Sequence, residues 1–201
     1  MAHRVVYFDL ETGGLETKHP VIQLAAVATD ALVEVESFEA KIRFDEASAD
    51  PAALAINSYD AAVWAKEAKP EREVVDAFSA FLRRHATVEL ISKRTGRPYN
   101  VARLAGHNVL GFDAPRLLAM FKRHDVFLAA DAYRPLDTLQ LSLWCATTLG
   151  VEPAKFTLSA MCEAFGVDAT GAHDALADVR MCVKLTKSLL DRVAQAGQIA
   201  G

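Results

Sequence analysis

The sequence predicts a single α/β domain, and three observations carry that expectation. Two short apolar runs at residues 4–10 and 21–29, and a partly alternating stretch at 32–44, occupy the start of the chain. Most of the remaining chain carries apolar residues at helical spacing, as in Val74, Val75, Phe78, Phe81 and Leu82. The 201 residues are 52% hydrophobic, enough for a sizeable core. No internal repeat, low-complexity tract or Pro/Gly-rich linker divides them.

Residues 4–10 read as a buried strand, and Thr12-Gly13-Gly14 as a turn, because glycine takes the backbone angles a sharp reversal needs. The segments at 21–29 and 32–44 come next as two more strands, and their short links suggest an antiparallel meander. Asp50-Pro51 opens a short helix, and residues 52–65 are alanine-rich with helical propensity. A stronger helix begins after Lys69-Pro70, with acids (Glu71, Glu73) first and bases (Arg83, Arg84) last, as the helix dipole prefers. Residues 87–104 read as a hairpin with a basic tip around Gly96, whose second arm runs into the sheet at Leu104-Ala105-Gly106. A helix over 112–123 tolerates Pro115 in its first turn. Pro135-Leu136-Asp137-Thr138 reads as a short strand entering another helix. A short helix at 156–165 precedes a long one that starts after Gly171-Ala172 and runs to about residue 193. Its expected inward positions are Leu176, Val179, Cys182, Val183, Leu189 and Leu190.

No apolar segment reaches membrane-spanning length, and the N-terminus lacks a secretory pattern. Cys145, Cys162 and Cys182 are odd in number and lack a CxxC pair, which argues against a disulfide frame or zinc site. Reduced core cysteines and a cytoplasmic location are therefore expected. The net charge of −4 does not announce a polyanion partner. Distribution matters more than the sum: Lys93, Arg94, Arg97 and Arg103 fall together with no acid among them.

The segment Phe8-Asp9-Leu10-Glu11-Thr12-Gly13 carries the chemistry. Strand side chains alternate, so Asp9 and Glu11 face the same side. Two like charges there repel and lose hydration, an arrangement that a bound cation stabilises. Asp113 lies near a helix start, where an acid is also favoured by the dipole alone, by about 0.3–1 kcal/mol. Asp178 lies amid Ala175, Leu176, Ala177 and Val179, a setting in which a carboxylate calls for a cation. Asp174 suits an N-cap, and His173 falls on the preceding loop.

Together these segments resemble the DEDDh branch of the DEDD exonuclease superfamily, which includes polymerase proofreading subunits and ribonuclease T-like enzymes. The first motif matches Phe8 to Gly13. The second matches His107-Asn108 and Phe112-Asp113, with Leu117 just beyond. The third, His-x-Ala-x-x-Asp, matches His173, Ala175 and Asp178. Each motif is short, but three in order at domain-sized spacing are specific. The resemblance implies a ribonuclease H-like fold, a mixed five-stranded sheet flanked by helices. It covers nearly the whole chain as a single exonuclease domain (1–201), with the basic hairpin at about 87–104 as an insertion.

The implied activity is metal-dependent 3′-5′ removal of nucleoside monophosphates from a nucleic-acid 3′ end, with DNA favoured over RNA. The implied cofactors are two divalent cations, Mg²⁺ or Mn²⁺, ~3.5–4 Å apart at the attacking and leaving oxygens. By resemblance Asp9 bridges them, Glu11 and Asp178 hold the water-activating metal, and Asp113 helps hold the second. His173, with an unperturbed pKa of ~6.5, takes the proton from water. The terminal nucleotide is expected to meet Thr12 and Leu15, with Phe112 stacking on a base and Asn57 lining the pocket. Asn108 is expected to fix local backbone. The basic hairpin is read as a contact to substrate phosphates, against the alternative of a solvated tip. The partner is a 3′ end, single-stranded DNA favoured; a polymerase partner or a homodimer would fit the same family. RNA trimming and polymerase proofreading remain alternatives, as do a non-catalytic binding module and a different metal phosphatase.

Overall fold

The computed structural model describes residues 4–170 and 174–199. Its main sheet has five strands in the order β3-β2-β1-β6-β7. Strands β1 (Val5–Thr12), β2 (Val21–Asp30) and β3 (Val33–Lys41) form the expected antiparallel meander. Strands β6 (Arg103–Gly106) and β7 (Leu136–Asp137) add parallel to β1, so the sheet is mixed. Strands β4 (Val88–Ile91) and β5 (Pro98–Val101) pair only with each other, as the hairpin. The hairpin is therefore shorter than expected, and Arg103 belongs to the main sheet.

Helix α1 (Pro51–Ile56) is the short helix expected after Asp50-Pro51, and the rest of the alanine-rich stretch forms a separate helix, α2 (Ala61–Glu67). The break has a local cause: Asp60 accepts the Ala62 and Val63 amides and starts a second helix. Helix α3 (Glu71–Arg84) begins just after Pro70, and α4 (Asp113–Arg123) begins one residue after Phe112. Helix α5 (Thr138–Leu149) is capped by Asp137 and α6 (Leu158–Ala164) by Thr157. Helix α7 (Ala175–Ile199) runs six residues beyond the expected end.

The alternation of β1 divides the core in two. Val6, Phe8 and Leu10 face α3 and α4, packing with Val74, Phe78, Phe81, Leu117 and Phe121. Tyr7 faces the other way, toward Val179, Cys182 and Val183 of α7. Strand β2 is buried on both faces over nearly its whole length, which explains its unbroken apolar run. Strand β3 closes the sheet edge with charge, its Glu34 and Glu36 paired to Arg180 and Arg84. On α7, Leu190 is exposed rather than inward. Helical phase places Met181 and Leu185 in the core against α5 and α6. The three cysteines are buried and unbonded to one another. Among the described residues no helix is long and apolar enough to cross a membrane.

Candidate active site

Asp9 and Glu11 continue from Tyr7 on the α7 side of β1, and α7 brings Asp178 to meet them. Carboxylate oxygens of Asp9, Glu11 and Asp178 all lie within 4.8 Å of one another. The β1–β2 register sets Ala25, with its small side chain, beside Asp9, and it slips between Glu11 and Thr12. Such a bulge re-aims the chain at the end of a ladder. Gly106 of β6 passes so close that an added Cβ would stand 2.8 Å from the Phe8 carbonyl oxygen. Only glycine lets β6 run this near the acids.

Asp113 approaches from the other face. It is the first residue of α4, and its Oδ1 accepts the Leu10 amide at 3.2 Å, between the two motif acids. Asp9 is pushed well above its ordinary pKa by burial, then by the charges of Asp113, Glu11 and Asp178. Burial, with Asp178 and Asp174, raises Glu11 to about 7. Burial also raises Asp113 to about 8, against the opposing effects of the Leu10 amide and Arg116. Carboxyls this mutually unfavourable fit a divalent cation: all donors are oxygens, the charge is in excess, and the geometry is convergent.

The third motif is placed in part. Asp174 accepts the Ala177 amide at 2.9 Å, capping α7 as expected. His173 lies outside the described residues.

The substrate-contact candidates fall around the same rim. Leu15 is 84% exposed on the loop after β1. Thr12 is buried, and its hydroxyl donates to the Gly14 carbonyl at 2.9 Å. Asn57, at the end of α1, donates to the Thr12 carbonyl at 2.8 Å. Both thus secure the loop that presents Leu15. Asn108 has a left-handed backbone (φ 56°), and its amide is held by Asp137 at 2.9 Å, consistent with a role in shaping the turn. Asp137 also accepts the Leu110 and Leu139 amides, tying the second motif to α5.

Arg116 has no counterpart among the expected site residues. It is only 8% exposed. Its guanidinium lies 3.6 Å from the Phe112 ring centroid. It donates to the Phe112 carbonyl at 3.0 Å and to the Leu15 carbonyl. One side chain therefore ties the loop after β1 to the start of α4. The available sequence signal was its spacing, three residues after Asp113 and four after Phe112 on one helix face.

A group of carboxylates at the end of a mixed sheet, converging from β1, α4 and α7, is a candidate divalent-cation site on a ribonuclease H-like fold. Comparison with known proteins adds two likenesses. The exonuclease family model (RNase_T) matches residues 99–186. A search of curated proteins gave no match. Among solved structures, E. coli exonuclease I with a dT13 oligonucleotide superposes with a TM-score of 0.75 at 19% identity, covering 98% of this chain and 43% of that one. Its zinc-bound complex with single-stranded DNA gives 0.74 at 20% identity, covering 96% and 41%. An ExoI/SSB-Ct complex gives 0.73 at 18%, covering 97% and 42%. The chain thus spans about two fifths of the length of these structures. Residues 99–186 are thus similar to the exonuclease family, and the whole chain shares the fold of exonuclease I.

Proposed function

We propose that this chain is a metal-dependent 3′-5′ exonuclease releasing nucleoside monophosphates from the 3′ end of single-stranded DNA. The observation that carries this is the convergence of Asp9, Glu11 and Asp178 within 4.8 Å, with Asp113 bound to the strand between the first two. The family match supports the reaction class. Structures sharing the fold include complexes with single-stranded DNA, which supports DNA over RNA.

Asp9, Glu11, Asp113 and Asp178 would hold two divalent cations, Mg²⁺ or Mn²⁺. Bound there, they would supply Lewis acidity and a hydroxide-like nucleophile at neutral pH. His173 takes the proton from the attacking water, for which an imidazole is matched near neutrality. Leu15 meets the terminal base, and the Phe112 ring offers a stacking face. Thr12 and Asn57 serve this contact by holding the loop in place.

The test is release of mononucleotides from a 3′-labelled single strand with Mg²⁺ or Mn²⁺, on matched DNA and RNA. DNA should be degraded faster, and Asp9→Ala should abolish release from both. Activity retained in Asp9→Ala, or cleavage from the 5′ end, would overturn the reading.

A further inference from the structure

The hairpin overhangs a groove of about 910 Å³ that is separate from the acid cluster. Its position is set by register. Strand β6 is parallel to β1 and starts with Arg103 opposite Val5, so its beginning lies at the end of the sheet away from Asp9. Four residues of β1, about 13 Å, separate Val5 from Asp9. The hairpin precedes β6 by one residue and therefore belongs to this far end.

The groove is built on a fixed floor. Ala102 bridges to Ala130, and Asp131, buried beneath, is paired with Arg103 at 3.2 Å and Arg134 at 3.1 Å. This pairing removes Arg103 from the basic tip expected from sequence. The tip itself is shaped by Gly96, whose left-handed backbone (φ 69°) allows its amide to reach the Ser92 carbonyl at 2.8 Å.

Two features of the walls point to one kind of ligand. Lys93, Arg94 and Arg97 line it, and among the described residues none of them has an acidic partner within 4 Å. No acid occurs from 92 to 101, although the chain as a whole carries −4. Facing these cations are the exposed rings of Tyr99, Phe127 and Tyr133, the last 79% exposed. Tyr99 and Phe127 already meet edge to face at 6.1 Å. Unpaired cations beside accessible rings suit a polyanion that also carries flat apolar faces, which is the chemistry of a single-stranded nucleic acid.

We infer that this groove is a second binding site for single-stranded nucleic acid, which holds the strand away from the end being cut. The inference rests on the nuclease reading only for the identity of the bound strand as substrate. Longer strands should then bind more tightly than short ones, because only they reach both sites.

Binding of labelled dT oligonucleotides of increasing length, measured in EDTA across a salt series, tests it without hydrolysis. For the wild type, affinity should rise with length. Replacing Lys93, Arg94 and Arg97 by Ala should remove that rise and reduce the salt slope by about 2, three phosphate contacts at ~0.7 each. Tyr133→Ala should weaken binding of the long strand roughly 5- to 150-fold, the range for one stacked base. An unchanged salt slope and unchanged length dependence in the triple variant would overturn the inference. So would a triple variant that loses binding of an acidic peptide while keeping that of the oligonucleotide, which would make the groove a protein-docking site. A protein that binds long strands in this way yet releases no nucleotide with Mg²⁺ or Mn²⁺ would instead sink the nuclease reading alone.

Discussion

At Glu11, burial and the charges of Asp178 and Asp174 lift the carboxyl to about 7. Above that pH the folded protein carries a charge it would rather not hold, unless a cation shares the site. Glu11→Gln keeps the shape and removes the charge. In cation-free protein at pH 8 the variant should therefore melt higher than wild type, by about 2–4 °C for each kcal/mol relieved. At pH 5, where the folded wild type is already protonated, the difference should shrink. Nucleotide release should fall by more than the roughly 10–100-fold that an outer-shell change costs a metal site. A variant that is active and no more stable than wild type would show that Glu11 is not part of a repelling cluster. Arginine at position 116 is the complementary case, a cation whose use is geometric. Its planar fork spans two carbonyl groups and stacks on a ring, which lysine cannot do.

Arg116 also sets the relation between two elements. The loop after β1 and the start of α4 are 101 residues apart at the Leu15 contact, and the guanidinium joins them. Arg116→Ala should lower stability by about 1.5–3 kcal/mol, the range for hydrogen bonds from a charged group, in denaturant unfolding. It should raise KM for the strand more than it lowers kcat, because Leu15 and Phe112 lose their fixed separation while the acids stay. Arg116→Lys should fail to restore KM. A fall in kcat alone would place Arg116 in the chemistry rather than in positioning. The strands show how much of this level was readable in sequence. The meander shows as apolar runs with short links, the hairpin as a basic turn at Gly96, and the acid pair as one residue's spacing on a strand. Element ends were less readable: the break between α1 and α2 depends on one cap at Asp60, and the length of α7 depends on what it packs against.

For the whole molecule, the raised carboxyls make stability depend on pH in a definite direction. Glu11 goes from an ordinary 4.5 to about 7 on folding, and Asp113 from 3.8 to about 8. Across that window the folded state binds more protons than the unfolded, so stability falls as pH rises. Glu34 and Glu36 act oppositely: hydrogen bonds from Arg180 and Arg84 lower them, so their contribution is complete at higher pH and is lost on acidification. Both side chains are more than a third exposed, so solvent screening limits the size of that effect. Cation-free protein should therefore be most stable near pH 5 and melt progressively lower toward pH 8. Added Mg²⁺ or Mn²⁺ should raise the melting temperature far more at pH 8 than at pH 5, since a ligand that binds only the folded state stabilises it by mass action. A melting temperature that is flat between pH 5 and 8 and indifferent to the cations would remove the metal site.

Sequence by itself determined the α/β class, the meander, the identity of the candidate acids and the presence of a basic hairpin. These depend on local alternation, helical spacing and short motifs, all of which can be read along the chain. Only the tertiary structure decided that Asp178 meets Asp9 and Glu11 from α7 while Asp113 reaches Leu10 from the opposite face. It alone withdrew Arg103 from the basic tip, gave Arg116 its position, and set aromatic rings beside the hairpin's remaining cations. The physical reason is that charge and stacking act through space over a few ångströms, and residues from about 30 to about 170 positions apart reach such distances only once the sheet and helices have packed.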